Sequence, residues 1–124
     1  MILEGFIFRP IFTDMKENFN FLAELPFAVT VCDTVGTIVY MNNKSRSTFS
    51  GDLTGKSLFE CHNENSSSKI REIMATGISN SYTIEKKGIK KLIHQSPWFD
   101  EGKAAGLIEI SIEIPFELPH FKRD

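Results

Sequence analysis

The sequence predicts an α+β fold: a five-stranded antiparallel sheet with short helices on one face and a flanking amphipathic helix at the N-terminus. Three observations predict it. Two short apolar stretches, "FAVTVCD" and "TIVYM", are separated by a turn at "VG", which reads as a hairpin. A helical pattern follows, with Ile70, Ile73 and Met74 on one face and Gly77 as its stop. The last third then alternates between apolar and polar residues, as strands do.

The elements follow in order. Pro10 closes the opening apolar stretch. Residues 13–24 read as a helix, with Thr13 as N-cap, Asp14 in the first turn, and Phe12, Met15, Phe19 and Leu22 as a narrow apolar stripe. Pro26 ends it, and the first hairpin begins. The polar run "NNKSRSTFSGDLTGKS" is rich in breakers and predicts short helical turns, as does "SLFECH". Residues 66–76 form the longest helix. "SYTIEKK" and "IKKLIHQSPWF" flank Gly88 as a hairpin, and its lysine-rich tip resists edge pairing. "DEGK" turns again. In the final strand Ile108, Ile110, Ile112 and Ile114 share one side and Glu109, Ser111 and Glu113 the other. The isoleucines are expected to face the helices.

With 124 residues, the chain fits one domain with its own core. A formal net charge of −2 without a basic block argues against nucleic-acid binding. No apolar run reaches the ~20 residues of a membrane helix. Two cysteines and no secretory signal pattern point to a cytoplasmic protein with free thiols.

This order of elements resembles a PAS domain, over roughly residues 22–115. "LAELPFAVTVCDTVGTIVYMNN" is similar to the family's opening hairpin, with Asp33, Gly36 and Asn42 in place. "LTGKSLFE" is similar to the segment before its long helix, and "HQSPWFDEGKAAGLIEISIEI" to its closing hairpin, with Pro97, Gly102 and Gly106. The segment 42–55 is shorter than usual for the family. The division expected is a flanking helix region over 1–25, a PAS-like domain over 26–116 and a short tail over 117–124. The resemblance implies a sensor or adaptor of the bacterial type, with no catalytic residues. Its output would pass through a homodimer or a signalling partner.

The expected ligand pocket is lined by Val29, Val31, Phe49, Leu58, Cys61, His62, Ile70, Ile73, Ile93, Gln95 and Ile110. Cys61 and His62 are adjacent, which raises three readings: a small core thiol beside a helix-positioning histidine, a haem ligand at His62, or a nucleophile with its base. Cys32, Cys61, His62, His94 and His120 are the whole supply of Cys and His, and their spacing builds no four-ligand metal site. A nucleophile needs an oxyanion site as well, and no motif supplies one. Any cofactor is therefore unknown, with haem at His62 as the specific possibility. "FECHN" lacks the Asn-Cys-Arg-type sequence of light-sensing flavin relatives, so flavin photochemistry is not supported.

Gln95 shares a strand face with Ile93, and His94 takes the other. If Ile93 faces the helices, Gln95 places an amide in the cavity; a shifted register would place His94 there. The stripe Phe12, Met15, Phe19 and Leu22 is expected to pair with a second copy, because the outer sheet face would present Glu109, Ser111 and Glu113. The rival reading is a ligand-free dimerisation module whose core is filled by its eleven phenylalanines.

Overall fold

The computed structural model describes residues 20–61 and 63–124. Most of the expected N-terminal helix lies outside them; its end is the short helix α1 (Asn20–Ala23). The chain then runs β1 (Ala28–Asp33), β2 (Ile38–Met41), α2 (Asn43–Thr48), a 3-10 turn (Leu58–Cys61), α3 (Glu64–Thr76), β3 (Asn80–Lys86), β4 (Ile89–Asp100) and β5 (Lys103–Ile114). The five strands form one antiparallel sheet in the order β2-β1-β5-β4-β3.

Local chemistry sets the boundaries. The Asp33 carboxylate accepts from the backbone N–H groups of Val35 and Thr37, which closes the β1–β2 turn. Asn42 caps α2: its Oδ1 accepts from Ser45 N–H at 3.0 Å. Asn63 caps α3 in the same way at 2.8 Å, so this helix begins two residues before the expected start at 66. Gly77 ends it in the left-handed conformation, φ 76°.

Each face of the sheet carries an apolar cluster. On one face α2 lies over β1 and β2, and α3 lies over β4 and β5. Between helices and sheet sits a core of Cys32, Ile38, Met41, Leu58, Ile70, Ile73 and Leu107, all essentially buried. On the other face Val29, Val31 and Tyr40 form a second cluster with Leu22, Leu25, Phe27, Trp98 and Ile108.

This arrangement reverses one expectation. β5 alternates as predicted, but Leu107 is the residue that meets the helices. Glu109, Ser111 and Glu113 follow it on the helix side, and Glu113 reaches Lys44 of α2 at 3.4 Å. Ile108 and Ile110 pair in register with Val31 and Val29, on the opposite face. Ile112 and Ile114 continue that row. The side was misread because β5 turns its isoleucine row away from the helices, and alternation gives a period but not a direction.

Candidate functional site

The helix side of the sheet carries three rungs of side chains between α2 and α3. Asn80, Gln95, Glu109 and Thr30 stand in register across four strands. Tyr82, Ile93, Ser111 and Ala28 form the next rung. Ile84, Lys91 and Glu113 form the third.

The first rung is a hydrogen-bonded array. Asn80 Nδ2 donates to Gln95 Oε1 at 3.2 Å, and Gln95 Nε2 donates to Glu109 Oε2 at 2.8 Å. The ionised carboxylate only accepts, so it orients the Gln95 amide, and Gln95 in turn orients Asn80. Thr30 Oγ1 and Ser45 Oγ of α2 share a hydrogen bond of 2.5 Å at the far end. Gln95 is 3% exposed, so its amide depends on these partners.

Two adjoining cavities open on this array. One, of about 200 Å³, has Phe49 beyond the end of α2, Tyr82, Ile84 and Ile93 as its apolar walls and Thr30, Glu109 and Ser111 as polar floor. Lys86 and Lys91 stand at its hairpin end. The other, of about 250 Å³, lies under α3 between Asn65, Ser66, Lys69, Asn80 and Gln95. Tyr82 lines both. Burial and the nearby Glu109 carboxylate push the Tyr82 hydroxyl pKa above its ordinary value, so it remains a neutral donor.

The sequence-selected residues fall into four groups. Phe49, Ile93 and Gln95 line the cavities. Leu58, Ile70 and Ile73 lie in the closed core, 0–1% exposed, where they fill space between helix and sheet. Val29, Val31 and Ile110 are on the opposite face. Cys61 ends the 3-10 turn, and His62 lies outside the described residues, as do Phe12, Met15 and Phe19. Leu22 packs into the outer cluster of its own chain. His94 also faces outward, with Nδ1 2.6 Å from Ser81 Oγ. Sequence reasoning missed Glu109, Ser111, Tyr82 and Asn80. The signal for them was Gln95 itself, because its neighbours in register share its face.

Among the described residues no cluster of three or more His, Cys, Asp or Glu side chains is placed to hold a metal ion. No described helix is long and apolar enough to cross a membrane. The Cys32 thiol is pushed up to about 11, mainly by burial, which disfavours the reactive thiolate.

Comparison with known proteins agrees with this architecture. The family model described as PAS fold matches residues 22–115. The structure of a VqmA dimer from Vibrio cholerae, determined in the absence of its target DNA, superposes with a TM-score of 0.66 at 20% identity. That match covers 81% of this chain and 51% of the other. A structure described as VqmA bound to DPO gives 0.67 at 20% identity, covering 82% and 58%. The chain thus spans little more than half the length of the VqmA chains it matches. The PAS domain of an HTR-like protein from Haloarcula marismortui gives 0.57 at 16% identity, covering 82% of this chain and 96% of that one. No curated protein matches.

Proposed function

The chain belongs to the PAS fold family, and we propose that it is a non-catalytic sensory module that binds a small molecule on the helix side of its sheet. The observation that carries this reading is the pair of cavities over an oriented polar array with the buried Gln95 at its centre. A filled core has no such space, and the buried Gln95 amide with the half-buried Glu109 carboxylate gives a ligand specific partners. The likeness to VqmA, which has been described with DPO bound, lends support at the level of the fold.

Signalling follows from the two-sided sheet. Glu109 and Ser111 touch the cavity, while Ile108 and Ile110 on the same strand belong to the outer face. A ligand that bridges the end of α2, β3 and β5 favours one packing of helices on sheet. The outer face then changes what it offers to a second copy or a signalling partner. Haem at His62 is the alternative for a coloured cofactor, tested by a Soret band lost in His62→Ala.

The test is native mass spectrometry of the protein purified from its source, repeated with Ser111→Trp, which fills the cavity. A bound small molecule in wild type that is lost in a folded Ser111→Trp supports the reading. An unliganded wild type that also shows no stabilisation by any compound of a small-molecule library overturns it.

A further inference from the structure

We propose that one end of the sheet, formed by the tip of the β3–β4 hairpin and the segment after β5, docks on an anionic membrane surface. The register brings these two pieces together. Lys90 near the start of β4 stands opposite Ile114, the last residue of β5. Its Nζ donates to the Phe116 carbonyl at 3.3 Å, which ties the outgoing segment to the hairpin. From there residues 115–124 run on without helix or strand.

Both pieces carry the same mixture of side chains. The hairpin tip sets Lys86, Lys87 and Lys90 around an exposed Ile89. The outgoing segment exposes Phe116, Leu118 and Phe121, the last by 72%, and then Lys122 and Arg123. The Arg123 guanidinium lies 5.8 Å from the Phe121 ring centre, so ring and cation present themselves together.

Charge and shape favour a lipid surface. The acids on these two pieces are Glu85, Glu117 and Asp124, and the cations outnumber them. Glu113, at the end of β5, is engaged by Lys44 on the helix side. The whole chain carries a formal charge of −2, so a positive end orients it toward an anionic surface. None of Ile89, Phe116, Leu118 and Phe121 belongs to either apolar cluster of the sheet. They stand on a turn and an irregular segment, where a rigid partner would need a separate pocket for each. A bilayer interface takes in each apolar group where it stands, and its headgroups meet the lysines. Docking of this kind needs no spanning helix. A few basic and apolar groups give reversible attachment that weakens with salt.

Vesicle flotation tests this with two compositions, phosphatidylcholine alone and phosphatidylcholine with about one-third phosphatidylglycerol. At low salt the wild type should bind the anionic vesicles about tenfold more tightly than the neutral ones, and about 0.5 M salt should remove the difference. The double variant Lys122→Glu, Arg123→Glu should lose most of this binding. Phe121→Ser should weaken it by about threefold or more. Lys103→Glu, at the other end of β5, should leave it unchanged. All these positions are exposed, and Trp98 emission confirms that each variant is folded. An equal loss in Lys103→Glu reduces the effect to overall charge and overturns the site. A wild type that ignores anionic vesicles at low salt overturns the proposal outright. If polyglutamate then shifts the Lys87 and Lys90 resonances instead, this end docks an acidic protein and the membrane reading falls. The wild-type comparison stands as a test even where a variant fails to fold.

Discussion

The Gln95 amide nitrogen lies 2.8 Å from the Glu109 carboxylate across the β4–β5 pair, in a rung whose other members, Asn80 and Thr30, are also polar. Replacing Gln95 by Glu sets two carboxylates against each other. Their mutual repulsion raises a carboxyl pKa in the folded state. A raised folded-state pKa means that stability is present at low pH and lost as pH rises through that value. Gln95→Glu should therefore lose ground to wild type between pH 4 and pH 7, by about 1–3 kcal/mol in urea unfolding. A deficit that is the same at both pH values would show that the two side chains do not interact.

Asn42 links three parts of the fold. Its Oδ1 accepts from Val29 N–H and Ser45 N–H, and its Nδ2 donates to the carbonyls of Leu22 and Phe27, all within 3.0 Å. It is 0% exposed, and Asn42→Ala removes the side-chain partner of the buried Val29 and Ser45 N–H groups. Loss of the cap and of the buried bonds should cost on the order of 2–4 kcal/mol. Asn42→Asp keeps the acceptor and loses the donors, and it should also fall below wild type. Denaturant midpoints for the two variants check both statements.

Trp98 and Gly106 depend on each other. The indole Nε1 donates to the Cys32 carbonyl at 2.9 Å, over a glycine where a Cβ would come within 1.8 Å of that carbonyl oxygen and 2.6 Å of Nε1. Gly106→Ala must separate β5 from β1 and release the indole. Trp98 is the only tryptophan of the chain, so its emission reports this directly. The expected result is a red shift with a stability loss of about 3 kcal/mol or more. An unshifted spectrum would mean that the strands absorb the methyl group without moving.

The hairpins and the long helix were legible because each rests on local chemistry. Turns with Gly36 and Gly88 and the Ile70/Ile73 spacing need no distant partner. The direction of the sheet faces was not legible. It depends on Leu107 meeting Ile70 and Ile73, a contact between segments far apart in sequence. Gln95 was correctly placed in phase with Ile93, and both are buried on the helix side. Its partners escaped because the isoleucine row of β5 looked more like a core than Leu107, Glu109 and Ser111 did. Polar residues in a cavity carry no apolar signal, so they read as surface.

Cys32 should be silent toward thiol reagents in the folded protein. Burial holds its thiol at about 11 against the ordinary 9.0. Because the folded-state value is raised, the associated stability is complete below about 9 and lost as pH climbs through 11. Site-resolved labelling at pH 8 should mark Cys32 only on unfolding. Cys32→Ser should flatten part of the alkaline fall in melting temperature, and Tyr40 and Tyr82, also raised by burial, should leave the remainder. Rapid labelling of native Cys32 would contradict this burial.

The outer sheet face should be where two copies meet. The sequence-based case for a dimer assumed that this face was acidic, which would have sent the N-terminal stripe to a second copy by default. The face is instead a row of isoleucines along β5, joined by Leu92 and His94 of β4 in register with Ile112 and Ile110. Leu22 and Leu25 already pack at one end of it, beside Val29, Val31 and Tyr40. A two-fold arrangement of this face with its flanking stripe would bury both apolar surfaces at once. Each large side chain removed from water contributes roughly 1.5–3 kcal/mol before entropic costs. Ile112→Glu places a charge in the middle of that row, and Phe19→Glu places one on the stripe. Sedimentation should show a dimer for wild type at tens of micromolar (roughly where weak dimers appear) and a shift toward monomer for both variants. A wild-type monomer at that concentration would mean that the face is covered within a single chain. If Phe19→Glu dissociates the dimer and Ile112→Glu does not, the copies meet through the stripe alone.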